Sequence, residues 1–412
     1  MAEADMDVHV TRAQDGMIRV AADPVGPAFT RAVLDVAGAV LAWPVLGDPS
    51  LPVAEVHDAG RAQQWLWAVY GERTAAAVHA CAAGEPVGVR VRADMTALAS
   101  SVARLGFGHW AFRWWPASHM DGIPALQPDV LGLELAALTH RCQQLFDDFG
   151  DQPDDCVAEL IQEHQAALDP LIQWWRAAPQ PADTARHLES VLRLIDEAAD
   201  SAGLDGQALR RLRSSLDERR PVGTPVDLGA LFTRHGDYAL AAGDPIVAGG
   251  RVIARGSGTN DWRRYPPGFV DAAENAVSWT ARALGARRQI EVEVVADVAA
   301  PAAGVPLVAE VRVDGGQANR VPLARRDDMW TGRADLDLPA AAMPPRIEVG
   351  VLLPGFDPGP GAFDEVEGRA DRDAIRDLVR RRLAAVAQPL PHDAFAGPFL
   401  AEIAAASTGE DF

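Results

Sequence analysis

The spacing of apolar and polar positions changes period three times along the chain. Val8, Val10, Ile18 and Val20 alternate about Asp15-Gly16. Alternation is the period of a strand, and Asp-Gly tolerates the positive φ of a tight turn, so a β-hairpin is predicted over 7–21. Phe29, Val33, Val36 and Val40 then recur at helical spacing behind Pro27, predicting a helix over 27–41 that Pro44 stops. Asp58 is a candidate N-cap for a helix over 59–81 carrying Trp65, Leu66, Val69 and Val78. Val87, Val89 and Val91 alternate with Gly88 and Arg90 as a strand. Residues 1–93 therefore read as a small α/β unit.

The period becomes helical over 94–222. Five helices are predicted near 96–115, 128–149, 155–177, 184–201 and 205–220, separated by Pro116, Pro124, Pro128, Pro153, Pro179, Pro181, Gly203 and Pro221. Such short connections imply an antiparallel helical bundle. Over 223–356 alternation returns, with strands predicted at 245–254, 289–297, 306–313, 319–324, 330–337 and 346–353. Short alternating runs between turn residues suit an antiparallel β-sandwich. After the linker GFDPGPG at 355–361, residues 362–412 predict a closing helix over 371–387 and a tail. Acids crowd the start of that helix and Arg376, Arg380, Arg381 and Arg382 its end, which complements the macrodipole. The fold class that follows is α+β.

Composition narrows the functional classes. The 412 residues are 48% hydrophobic, ample for more than one core. The net charge of −20 disfavours nucleic acid and anionic membranes and favours basic protein partners. All 38 basic residues are arginine, so no Schiff-base or phosphate-loop lysine exists. Cys81, Cys142 and Cys156 form no CxxC pair and suit a reducing compartment. The acidic N-terminus lacks an apolar signal region, and no run of about 18 apolar residues is present. A soluble cytoplasmic protein is expected.

Each constellation that could carry chemistry fails on spacing. The aromatic cluster Phe107, Trp110, Phe112, Trp114 and Trp115 has His109, His119 and Asp121 beside it. His109, Trp114, His119 and Asp121 are the candidate ligand pocket, against the simpler reading of a bundle core in which Phe107, Trp110 and Trp114 share a face. Trp174 and Trp175 are adjacent, so one is expected at a seam or an exposed patch. Residues 147–169 carry eight acids and no arginine, but an EF-hand with Gly150 at its sixth position would begin at Leu145. The run reads as a solvated loop or a docking face for a basic partner. Glu134–His140 and Glu163–His164 lack the Glu-x-x-His spacing of a di-iron bundle. Ser257 in RGSGT is not a nucleophile elbow. No catalytic residue, metal site or cofactor is therefore assigned. Asp261-Trp262-Arg263-Arg264-Tyr265, ahead of a rigid Pro-Pro-Gly, mixes the residue types enriched at binding hot spots. Trp262, Arg263, Arg264 and Tyr265, with the apolar tail residues Phe399, Leu400 and Ile403, are the candidate partner contacts.

The stretch GSGTNDWRRYPPGFVDAAENAVSW at 256–279, FRWWPASHMDGIPAL at 112–126 and the PFLAEI tail at 398–403 are similar to uncharacterised accessory proteins of bacterial MoxR ATPase–von Willebrand A (ternary conflict) systems. The resemblance spans about 95–145 and 230–405 and carries over no catalytic residue. It implies a non-enzymatic adaptor or scaffold whose protein partner is a MoxR-type ATPase, a von Willebrand A protein or their substrate. The alternative is an enzyme or small-ligand-binding protein using the bundle pocket.

Overall fold

A computed structural model describes the chain apart from residues 1–5, 22–26, 48–50, 85–87, 94–95, 147–152, 178–179, 219–225, 233–249, 299, 301–306, 337–344, 357–364, 388–396 and 409–412. In chain order the elements begin with β1 (Met6–Arg12), β2 (Ile18–Val20), β3 (Arg31–Val36), β4 (Ala39–Pro44) and β5 (Val53–Val56). Helices α1 (Ala59–Tyr70) and α2 (Glu72–Ala82) precede β6 (Val89–Ala93). Then come α3 (Ala97–Trp114), α4 (Pro128–Arg141), α5 (Pro153–His164), α6 (Leu168–Arg176), α7 (Ala182–Ser201), α8 (Gln207–Asp217) and α9 (Leu228–Phe232). Strands β7 (Arg251–Ser257), β8 (Val277–Leu284), β9 (Arg287–Val295), β10 (Val308–Val313) and β11 (Asn319–Pro322) follow. The chain continues with β12 (Ala324–Arg326), β13 (Met329–Asp335), β14 (Ile347–Leu352), α10 (Glu365–Ala387) and α11 (Leu400–Thr408). The fold is α+β, with an N-terminal sheet, central helices, C-terminal sheets and a closing helix. Two compact units share it: Met1–Phe112, Leu126–Thr233 and Arg380–Phe412 form the first, Arg113–Ala125 and Arg234–Val379 the second.

In the first unit the antiparallel sheet runs β3-β4-β5-β2-β1-β6. The predicted Asp15-Gly16 hairpin is present, pairing Val10 with Val20. The helix predicted over 27–41 is instead the β3–β4 hairpin, with Val36 opposite Ala39. Its apolar residues satisfy either period, and Gly38 decides the outcome. Gly38 holds φ +74, and a Cβ there would stand 2.3 Å from the Asp58 carbonyl oxygen, so only glycine fits this turn. One sheet face buries Val8, Val10, Val20, Leu34, Leu41 and Trp43. Indole and phenol groups from the helices close onto the sheet's loops: Trp65 Nε1 donates to Ala37 O at 2.8 Å, Trp110 Nε1 to Phe29 O at 2.7 Å and Tyr70 OH to Pro52 O at 2.9 Å. Each such buried aromatic contributes about 1.5–3 kcal/mol by area.

Asp58 caps α1 as predicted, accepting from the Gly60 and Arg61 N–H groups at 3.0 Å. The predicted 59–81 helix is interrupted at Gly71, which separates α1 from α2. The predicted 155–177 helix breaks into α5 and α6 through a 3₁₀ turn at Gln165–Ala167. Pro170 in the first turn of α6 explains this, since it cannot donate to the residues an unbroken helix would place before it. Trp174 and Trp175 are both 3% exposed, so neither lies on an exposed patch. Helix α6 packs against α7, α8 and α9, so more than one of its faces is covered. Trp174 meets Phe232 edge-on at 5.7 Å between ring centroids.

The second unit holds a three-stranded sheet, β11-β10-β14, and a five-stranded sheet, β12-β13-β9-β8-β7, both antiparallel. Their strands alternate as predicted, with Ile290, Val292 and Val294 buried on β9 and Ala309 and Val311 on β10. Strands β8 and β12 lie outside the predicted set. Residues 245–249 of the predicted 245–254 strand, most of the 355–361 linker, and Asp147, Asp148 and Asp151 of the acidic run lie outside the described residues.

Cys81 and Cys142 are buried and Cys156 is exposed. Burial pushes the Cys142 thiol up to about 12, against a small lowering by Arg141. Iodoacetamide at mildly alkaline pH is therefore expected to modify Cys156 alone in the folded protein, and all three cysteines in denaturant. Peptide mass mapping checks this, and native-state labelling of Cys142 would contradict it.

Candidate functional site

Helix α4 is buried from Val130 through Thr139, because α5, α7 and α11 surround it. Its sequence, VLGLELAALT, is apolar except for Thr139, whose hydroxyl donates to Leu135 O at 2.9 Å, and Glu134, which is 1% exposed. An unpaired carboxylate there would be expensive, and three elements satisfy it. Arg104 Nη2 donates to Oε1 at 2.7 Å, His187 Nε2 lies 2.9 Å from the same oxygen, and the Leu400 N–H donates to Oε2 at 2.8 Å. Burial alone would raise this carboxyl's pKa, but the charges and hydrogen bonds of His187 and Arg104 outweigh it and hold it at about 2. Glu134 is thus a carboxylate bonded at both oxygens, one of them to the first N–H of α11, where a negative charge also complements the helix dipole.

The other end of that docking is equally charged. Arg382 grips Glu402 with two parallel hydrogen bonds of 2.7 and 2.8 Å. Glu402 Oε2 also accepts from the Phe399 N–H at 2.7 Å, the reciprocal half of a capping box. Arg104 donates to the carbonyls of Gly397 and Pro398 at 3.0 and 3.1 Å. The Phe399 ring stacks on Phe107 with centroids 6.0 Å apart, and Arg104 lies 4.5 Å from the Phe399 centroid. Phe399 and Leu400 are fully buried and Ile403 is half-buried. Offered by the sequence as partner contacts, Phe399 and Leu400 are instead interior anchors of their own unit.

In the second unit Glu274 accepts from Arg372, at 2.9 Å for Nη2–Oε2, and from Arg376 at 3.3 Å. Arg376 also donates to Ala272 O at 3.0 Å, pairs with Asp373 and lies 3.6 Å from Asp121. Trp262 is 5% exposed, with Arg376 5.7 Å from its ring centroid. Arg263 forms a two-pronged pair with Asp261 at 2.9 and 2.8 Å, and Arg264 pairs with Glu310 at 2.6 Å. Tyr265 is buried and its hydroxyl bonds Asn260 Oδ1. Asn260 in turn donates to the carbonyls of Asp271 and Ala273 at 2.9 and 2.6 Å. The hot-spot reading of Trp262, Arg263, Arg264 and Tyr265 is corrected accordingly. The guanidinium forks meet internal carboxylates and the rings fill the unit's interior, so this loop is a structural crossover.

His109 belongs to the first unit, and burial lowers its pKa from the usual histidine value. Trp114, His119 and Asp121 belong to the second, where His119 is exposed and Asp121 faces Arg376. Trp114 instead carries Arg113, 3.8 Å from its ring centroid. Within the second unit, Trp114, Trp115, Trp262, Tyr265 and Pro267 line a cavity of about 30 Å³, room for about one water and far below the roughly 300–1,000 Å³ of ligand sites. In the first unit an open groove of about 470 Å³ runs between α6 and α8. Its Arg176 and Arg211 pair with Glu218 and Asp169, and its Arg210 with Asp205. Among the described residues no group of three or more His, Cys, Asp or Glu is placed to hold a metal ion, and no helix is long and apolar enough to cross a membrane.

What the first unit does present is sheet. The face opposite its core carries Arg31, Val33, Asp35, Val40, Ala42, Glu55, Arg19 and His9, half-buried or exposed, with Val33 at 49%. Arg19 and Glu55 pair across strands at 3.2 Å. Among the described residues β3 and β6 are unpaired edges, and Trp67 on α1 is 55% exposed. The partnering of Glu134 with Arg104 and His187 lay beyond sequence reasoning, since those residues stand 30 and 53 positions away. The available signal was a lone acid inside an apolar helix. Compared with known proteins, the chain matches no family model, no curated sequence and no solved structure.

Proposed function

We propose that this chain is a non-enzymatic adaptor or scaffold component of a multi-protein, ATPase-linked bacterial system. The observation that carries the reading is the six-stranded sheet, which offers an apolar-and-charged face with Val33 exposed on its edge strand β3 and, among the described residues, two unpaired edges. Surfaces of this kind bind other proteins. The buried ionisable clusters serve a different end, since their acids and arginines bond each other and the backbone and so fasten each unit internally. The link to a MoxR-type ATPase or a von Willebrand A protein comes from the sequence resemblance alone. Size-exclusion chromatography with light scattering is the test, mixing the chain with each candidate at micromolar concentration. A stoichiometric complex is expected, weakened about tenfold or more by Val33→Asp. Failure of the unaltered chain to bind either candidate would remove the reading.

A further inference from the structure

Strand β3 closes one edge of the six-stranded sheet and pairs with β4 alone among the described residues. Thr30 O accepts from the Val45 N–H at 2.9 Å, in line with the β3–β4 register. Residues of an antiparallel strand direct their main-chain groups alternately to its two sides. Ala32, Leu34 and Val36 therefore serve β4. Val33, Asp35 and the Arg31 carbonyl face outward, with no main-chain partner among the described residues. Exposed edges usually avoid pairing through a proline, a bulge or an inward charge, and β3 has none of these. Side chains follow the same parity. Ala32, Leu34 and Val36 are buried, whereas Val33 and Asp35 are exposed and Arg31 is half-buried on the opposite face. Arg31 and Asp35 form no ion pair among the described residues, and Arg31 Nε is buried without a hydrogen-bond partner.

We infer that β3 is a self-pairing edge, at which a second copy of this chain docks antiparallel to form a two-fold dimer with one continuous sheet. The segment Arg31-Ala32-Val33-Leu34-Asp35 is complementary to its own reverse. With Val33 opposite Val33, each Arg31 stands opposite the partner's Asp35, and opposite charges so placed attract. The hydrogen-bond parity agrees with this register. The outward Val33 groups would bond each other in both directions, and each Asp35 N–H would donate to the partner's Arg31 carbonyl. The two exposed Val33 side chains would meet at the axis. The open ladder is short, because the Ala37 N–H beyond it already donates to Leu145 O at 2.8 Å and the Arg31 N–H to Ala28 O. The contact is therefore a reversible one that forms at micromolar concentration. Self-complementarity selects this occupant, since a two-fold contact must match one patch to itself. The inference goes beyond the adaptor reading and does not depend on it.

Sedimentation equilibrium of the full chain alone, from about 1 to about 200 μM, should show a monomer–dimer equilibrium that stops at the dimer. Arg31→Glu and Asp35→Arg should each weaken it at least tenfold, because each sets like charges opposite one another. Mixing the two single variants in equal amounts should restore dimers, since one strand then carries only acids and the other only bases. The charge swap Arg31→Glu/Asp35→Arg should restore self-pairing within one chain. Rescue by the mixture also shows that neither variant has lost its fold, and unchanged melting temperatures provide a second check. A chain that stays monomeric throughout the range would overturn the pairing. So would a dimer indifferent to both single variants, assembly that grows past the dimer, or single-variant losses that neither the mixture nor the swap repairs. A monomer that still binds an ATPase or von Willebrand A candidate defeats the pairing and leaves the adaptor reading standing. A dimer that behaves as expected but binds neither candidate upholds the pairing and removes the adaptor reading.

Discussion

Replacing Glu134 with alanine is expected to destabilise the first unit by about 3–5 kcal/mol, the usual result of breaking a buried ion pair from one side. The substitution leaves Arg104 buried without its carboxylate and strips the acceptor from the Leu400 N–H, so the α11 docking should loosen first. Hydrogen exchange at residues 399–403 should accelerate before global unfolding, and urea titration measures the overall loss. Glu134→Gln retains the shape and separates the charge. The folded pKa of Glu134, about 2, lies below its ordinary 4.5. A depressed carboxyl pKa stabilises the fold above the unfolded value, and that contribution fades as pH falls through the folded one. The stability gap between the natural chain and Glu134→Gln should therefore be full above about pH 4.5 and shrink steadily toward pH 2. A gap below about 1 kcal/mol at neutral pH, or one that widens in acid, would contradict this role for Glu134.

Gly132→Ala is the second large effect. A Cβ on Gly132 would lie 1.9 Å from His164 Cδ2, far inside contact distance. His164 is 4% exposed, and its Nδ1 stands 3.1 Å from Asp129 Oδ1, so the ring has little room to retreat. The alanine must push α5 off α4 or turn the ring away from Asp129. Overpacking of this kind costs about 1–3 kcal/mol despite alanine's better helix propensity. His164→Ala alone should also destabilise, by removing buried packing. In the double variant the new methyl occupies space the ring vacated, so the two losses should be clearly less than additive. Additive losses in a urea-denaturation cycle would show that the clash is absorbed elsewhere.

The legibility of this chain follows the range over which each determinant acts. The Asp15-Gly16 hairpin, the Asp58 cap and the proline-bounded helices were readable because their causes lie within a few residues. Strands such as β9 and β10 of the second unit were readable because their buried residues alternate with polar ones, whereas β8 and β12 were not in the predicted set. Residues 27–44 misled because Phe29, Val33, Val36 and Val40 fit a helix as well as a hairpin. The determinant was Gly38 against the Asp58 carbonyl, a contact made across 20 positions. Trp262, Arg263, Arg264 and Tyr265 have the composition of a hot spot, but composition cannot reveal that Glu310 and Asn260 would claim Arg264 and Tyr265. The Glu134 cluster lay furthest from view, drawing its members from α3, α4, α7 and the start of α11.

That last arrangement bears on synthesis. Leu400 and Glu134 are 266 positions apart, and at roughly 5–20 residues per second a ribosome needs about 13–50 s to travel between them. Through that interval the apolar helix around Glu134 has emerged while its α11 cap does not yet exist, and residues Arg234–Val379 of the second unit are translated in between. The helical layer must wait, incompletely neutralised, for the 397–402 segment, which makes the nascent first unit a natural client for a holding chaperone.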